Sequence, residues 1–131
     1  MSSSRNRFQV NPNPREGCCS SSRLRTPGIK PTSTPGRYFA DADLVCAGDC
    51  TGIDSLIGYV WTLQRISGDV RIEGPTFKTG DNTVLVAGHG EFVLTVVVFF
   101  HCQLPLFRVP IVRLTRGYAT CRREAAVRFS Q

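Results

Sequence analysis

Gly90-Glu91-Phe92-Val93-Leu94-Thr95-Val96-Val97-Val98-Phe99-Phe100-His101 is the stretch on which the fold of this chain turns. It is apolar at both parities: Phe92, Leu94, Val96, Val98 and Phe100 form one set, Val93, Val97 and Phe99 the other. β-branched and aromatic residues favour extended backbone, and a strand that is apolar on both faces lies at a domain centre or against a partner subunit. The apolar part, Phe92 to Phe100 broken only by Thr95, is about half the ~20 residues that a membrane-spanning helix requires. Glu91 and His101 bound it, and Pro105 and Pro110 follow. A membrane span is therefore not expected.

Outward from this strand the reading stays β-rich. Val84 to Ala87 reads as a preceding strand across Gly88-His89-Gly90, and Thr79-Gly80-Asp81-Asn82 as a polar hairpin-type loop. Val70-Arg71-Ile72 begins a short strand that ends at Gly74-Pro75. Between residues 51 and 66 two periodicities compete. Ile53, Leu56, Ile57, Val60 and Leu63 fit a helical face, whereas Ile57, Tyr59, Trp61 and Leu63 alternate, and Gly58 penalises a helix interior. A helical turn at 52–56 followed by a strand at 57–66 accommodates both. Tyr38 to Cys46 reads as a first strand and Phe107 to Leu114 as a last, edge strand because of Pro110. Residues 121–131 read as a short basic helix or a frayed end. The fold class expected is all-β or β-dominated, a small sandwich or jelly-roll-like body of about six strands.

Charge divides the chain differently. Residues 1–37 hold seven cations against the single acid Glu16, a net +6, and residues 38–131 hold nine of each sign. The same 37 residues contain five prolines, seven serines and few large apolar side chains. Such a segment buries too little surface to offset its backbone entropy, so a disordered basic arm is expected at 1–37 and a compact body at 38–131. Arg5, Arg7, Arg15, Arg23, Arg25, Lys30 and Arg37 are its candidate nucleic-acid-binding residues. Arg5-x-Arg7 and Arg23-x-Arg25 suit phosphate oxygens, and with Phe8 the arm's only aromatic residue, binding would be electrostatic and sequence-tolerant. Seven engaged cations on a single strand would give a log–log salt slope of roughly −5 at most. A solubilising tail is the plainer alternative. Within the body, residues 38–91 carry eight acids against three cations, and residues 92–131 six cations against one acid. That segregation allows head-to-tail association, or ion pairing inside one monomer.

No hydrolase, Walker-loop, dinucleotide or His-Glu-x-x-His motif is present, so no enzyme activity, no cofactor and no small-molecule substrate are expected. His89 reads as a loop histidine. No apolar run follows the charges at the N-terminus, so no secretory signal is read and the six cysteines are expected as free thiols in a reducing compartment. Cys46-x3-Cys50 with His101-Cys102 is the weak candidate for a metal site. The adjacent second pair would point to opposite strand faces, so both could ligate one metal only with local distortion.

A disordered arginine arm before a compact β body resembles the plan of small coat and nucleocapsid proteins of positive-strand RNA viruses. Val70-Arg71-Ile72-Glu73-Gly74-Pro75-Thr76-Phe77-Lys78-Thr79-Gly80-Asp81-Asn82-Thr83 resembles a segment of satellite plant virus coat proteins, which are jelly rolls. Gly90-Glu91-Phe92-Val93-Leu94-Thr95-Val96 followed by Val112-Arg113-Leu114-Thr115-Arg116 is similar to the terminal β-hairpin of arterivirus nucleocapsid proteins, which pair an RNA-binding arm with a dimerisation domain. The two resemblances imply different folds and one shared function: binding and enclosing genomic RNA. On that basis the expected partners are single-stranded RNA and copies of the chain itself, in the virion and the host cytoplasm. Self-association is expected through Phe92, Leu94, Val96, Val98 and Phe100. The alternatives are a non-structural RNA-binding accessory protein (a silencing suppressor or movement factor) and a membrane-associated or zinc-stabilised interaction module.

Overall fold

The computed structural model describes residues 21–46, 53–103, 107–109, 113–115 and 118–130. Its elements are all strands: β1 (Ser22–Leu24), β2 (Gly28–Pro31), β3 (Arg37–Asp41), β4 (Leu44–Cys46), β5 (Ile53–Gly68), β6 (Arg71–Glu73), β7 (Phe77–Lys78), β8 (Thr83–Ala87), β9 (Gly90–Gln103), β10 (Phe107–Val109), β11 (Arg113–Thr115) and β12 (Tyr118–Ser130). Two four-stranded sheets, in the orders β2-β3-β8-β6 and β12-β9-β5-β7, enclose one hydrophobic core. All pairings are antiparallel. No helix among the described residues is long and apolar enough to cross a membrane.

The β9 stretch occupies the middle of the second sheet, between β5 and β12. Its even residues, Phe92, Leu94, Val96, Val98 and Phe100, are all 0% exposed. With a side-chain period of 2, those five point together at Ala40, Val84 and Val86 of the other sheet. The expectation that these residues form a self-association surface is therefore corrected. They are the core of one protomer, and no partner chain can reach them. The odd residues, among them Val93, Val97 and Phe99, are half-buried on the outer face of the same sheet.

Across from β9, Trp61, Leu63 and Tyr59 of β5 stand opposite Val96, Leu94 and Val98 and share their inward face. This register requires extended backbone from Ile53 onward, so the expected helical turn at 52–56 is replaced by strand from residue 53. Three register shifts, around Ile53/Ser55, Leu56/Gly58 and Arg65/Ser67, absorb the irregular spacing that suggested a helix. In place of the single strand expected from Phe107 to Leu114, Phe107–Val109 and Arg113–Thr115 form two short strands paired with each other, Phe107 opposite Thr115. Residues 121–130, expected as part of a short basic helix or a frayed end, belong to strand β12, which alternates inward Ala125, Val127 and Phe129 with outward Arg122, Glu124 and Arg128 and pairs with β9 along its full length. Phe129 reaches Phe92 and Tyr38, with ring centroids 5.5 and 5.3 Å away.

A larger correction concerns the arm. Its first 20 residues lie outside the described residues, but residues 21–37 do not form a free leader. β1 pairs with β4, Arg23 opposite Val45, and β2 pairs with β3, Lys30 opposite Phe39. Leu24 is buried and Ile29 packs against the core. One buried leucine and one half-buried isoleucine suffice because strand pairing satisfies the backbone polar groups of both segments.

The cysteines are also not as expected. Cys46, Cys102 and Cys121 are each disulfide-bonded, and among the described residues no cysteine is free. In a body this small, covalent cross-links restrict the unfolded chain and supplement a modest core.

Candidate binding cleft

The residues expected to bind nucleic acid divide into two groups. Arg5, Arg7 and Arg15 lie outside the described residues. Arg23, Arg25, Lys30 and Arg37 sit on the sandwich, on or next to β1, β2 and β3. Arg25 approaches Asp43 at 3.6 Å, and Arg37 is ion-paired with Glu73, which also holds Arg71 at 3.2 Å. Guanidinium groups matched by carboxylates of their own protomer present little net charge to a polyanion. Lys30 borders a shallow hollow of about 300 Å³ with Phe39, Asp41 and Thr83, where Asp41 opposes its charge. The candidate metal ligands are not brought together either. Cys46 and Cys102 carry bonded sulfur, which has no thiolate to offer a metal. Cys50 lies outside the described residues. His101 stands on β9, and the described residues contain no group of three or more His, Cys, Asp and Glu side chains able to hold a metal ion.

Elsewhere in the fold an open strand edge adjoins an apolar hollow. β7 is only two residues long and pairs with Tyr59 and Val60. The next bond along this edge runs from the Trp61 N–H to the Thr76 carbonyl, 2.8 Å. Beyond it, among the described residues, no strand pairs with the far side of β5. In an antiparallel strand, alternate residues direct their backbone polar groups to the same side. The outward turn of Trp61 therefore places those of Leu63 and Arg65 on the open edge as well. β6 ends the other sheet, and among the described residues no strand pairs with its far edge.

Between these edges lies a cleft of about 720 Å³ lined by Trp61, Thr62, Leu63, Arg65, Asp69, Val70, Arg71, Ile72 and Thr76. Trp61, Leu63, Val70 and Ile72 belong to the core cluster or pack against it and make an apolar floor. Arg65 and Arg71 stand exposed at the rim. The Arg65 guanidinium donates to the Gly68 carbonyl at 2.9 Å. Opposite charge comes from Asp69, whose carboxylate accepts the His89 N–H at 2.8 Å. That bond, chiefly, holds the Asp69 carboxyl below its ordinary pKa. Deeper in, Trp61 is 2% exposed, and its indole N–H has no acceptor among the described residues. Buried tyrosine Tyr59, next along β5, has its pKa raised by burial and by the nearby Asp43 charge.

The lining thus supplies apolar area, guanidinium donors and open strand edges, with no serine, cysteine or histidine in the wall. Sequence reading could not assemble it, because its two walls belong to different sheets. The one available signal was Trp61, the only tryptophan of the chain.

Comparison with protein-family models, with curated proteins and with solved structures finds no match for this chain.

Proposed function

We propose that this chain is a binding module: a disulfide-braced β-sandwich that takes up an extended segment of a partner polypeptide in the cleft between β5 and β6. The observation that carries the reading is the coincidence of two open strand edges with an apolar floor. A guest strand laid along β5 would bond to the backbone groups of Leu63 and Arg65 and place alternate side chains over Trp61, Leu63 and Ile72. Arg65 favours an acidic residue at an intervening position, whereas Arg71, already matched by Glu73 at 3.2 Å, adds less. About six extended residues, roughly 20 Å, would fill it. The bonded cysteines support an oxidising compartment over the host cytoplasm.

Trp61 makes the test direct. As the sole tryptophan, it reports on the cleft without interference from other indoles. Titration with a six-residue peptide alternating valine and glutamate is expected to shift Trp61 emission saturably, and the double variant Arg65→Glu, Arg71→Glu is expected to abolish the response. An emission spectrum unchanged by such peptides, in a folded protein, refutes this function.

The coat or nucleocapsid reading is the second proposal, favoured by the +6 net charge of residues 1–37 and by Arg5, Arg7 and Arg15. Its support is narrower than the sequence suggested, because Arg25 and Arg37 are matched by carboxylates. A gel shift with single-stranded RNA separates the two. The coat reading expects binding that weakens steeply with salt and is lost when residues 2–20 are removed.

A further inference from the structure

We propose that two copies of this chain join edge to edge through β12, extending the β12-β9-β5-β7 sheet into a continuous eight-stranded sheet across a two-fold axis at Ala126. The inference is independent of what the β5–β6 cleft binds. β12 is long, 13 residues, and it ends its sheet. One side is bonded to β9 throughout, and among the described residues no strand is bonded to the other. Unpaired edges of this length are templates for a further strand. Short β1 packs against the middle of its inner face, where Arg123 donates from Nε to the Ser22 carbonyl at 2.8 Å.

Charge selects both the occupant and the register. A two-fold antiparallel pairing centred on a residue keeps outward residues opposite outward residues, and a pairing centred between residues mixes the faces. With the axis at Ala126, Glu124 of each copy faces Arg128 of the other, and Arg122 faces Ser130. On the inner face, Arg123 stands opposite Phe129 and Ala125 opposite Val127, with no like-charge pair. Moving the axis to residue 125 sets Arg122 against Arg128 twice. Residue 124 sets Glu124 against itself, and residue 123 sets Arg123 against itself. At residue 127 no charged pair forms and the overlap shortens. Only Ala126 gives two opposite-charge pairs and no like-charge pair. Directly opposed cross-strand charges stabilise when unlike and destabilise when like.

Within one protomer Arg128 donates to Glu91 at 2.6 Å and Arg122 to Glu124 at 3.2 Å. Glu91 stands on β9, the inner neighbour of β12, so pairing across the axis exchanges these two intramolecular ion pairs for Glu124–Arg128 pairs between copies.

The test is sedimentation equilibrium of the full chain over a range of concentrations, using charge exchange. Glu124→Arg and Arg128→Glu are each expected to weaken dimerisation at least tenfold, because each homodimer acquires two like-charge pairs. An equimolar mixture of the two is expected to recover a heterodimer at near the original affinity, since every pair is then unlike. Ala126→Cys, which changes no charge, is expected to cross-link to itself on mild oxidation, whereas Thr62→Cys is not. Far-ultraviolet circular dichroism checks that each variant is folded. A chain that is monomeric at all concentrations, or a dimer insensitive to the exchanges and uncrosslinked at residue 126, overturns the proposal.

Discussion

Val96 and Val97 are neighbours on β9 that face opposite sides of the sheet, and truncating each to alanine separates core from surface. Val96 is 0% exposed and opposes Trp61 and Ala125, whereas Val97 is half-buried on the outer face. Removing two carbons from full burial forfeits about 1.6 kcal/mol of transfer free energy, at ~0.8 per carbon. A partly collapsed cavity adds about 1 kcal/mol more. Val96→Ala should thus cost about 2.5 kcal/mol. Val97→Ala loses roughly half the transfer term, about 0.8 kcal/mol, and leaves no cavity. The loss of strand propensity is common to both and cancels in the comparison. With a urea slope of about 2 kcal/mol/M, the midpoints should fall by ~1.2 M and ~0.4 M respectively. Chemical denaturation followed by Trp61 fluorescence, with disulfides intact, measures both. Equal shifts, or a larger one for Val97→Ala, would show that β9 does not have its even residues in the core and would reinstate them as an interaction surface.

Other outcomes follow from the same structure. Gly68 has φ of +82°, and a Cβ there would lie 2.0 Å from the His89 carbonyl oxygen, so Gly68→Ala should cost about 3 kcal/mol or more. Gly80, at φ +77° with open space around it, should lose only about 1 kcal/mol on the same change, and thermal melts compare the two. Reducing the disulfides of Cys46, Cys102 and Cys121 should lower stability by about 2–5 kcal/mol for each bond broken, and a thiol reagent should find none of these three reactive in the native, unreduced protein. Asp69 and Asp81 both have depressed pKa values, Asp69 chiefly through the His89 N–H and Asp81 chiefly through the Thr83 hydroxyl. A depressed folded value adds stability that is complete above the unfolded pKa and lost as pH falls through the folded one. Stability should therefore decline below about pH 4, and Asp69→Asn should flatten part of that decline in urea midpoints taken between pH 2 and 6.

What could be read from the chain, and what could not, depends on whether a feature is local. The strand at 90–103 was legible because eight apolar side chains crowd one short segment. Which of its faces is the core was not legible: the buried and the half-buried parities look alike in composition, and only the register with β5 and β12 tells them apart. The N-terminal strands were hidden for another reason. Ser22–Leu24 and Gly28–Pro31 carry little hydrophobic pattern of their own and are strands because β4 and β3 pair with them. β12 alternates, but Arg123 interrupts its inward series, and that one guanidinium, satisfied by a carbonyl about a hundred residues away in sequence, made the segment read as a basic tail. Cysteine pairing and the β5–β6 cleft are wholly non-local, since each depends on elements that meet only in the folded chain.

Two-dimensional amide NMR of the labelled protein, titrated in parallel with the valine–glutamate peptide and with single-stranded RNA, bears most directly on the function argued for this sandwich. The account expects the peptide to move the resonances of Thr62, Leu63, Arg65, Arg71 and Ile72, and RNA to leave them in place. Perturbation by RNA centred on Arg5, Arg7 and Arg15, with a cleft that stays silent towards the peptide, would contradict it.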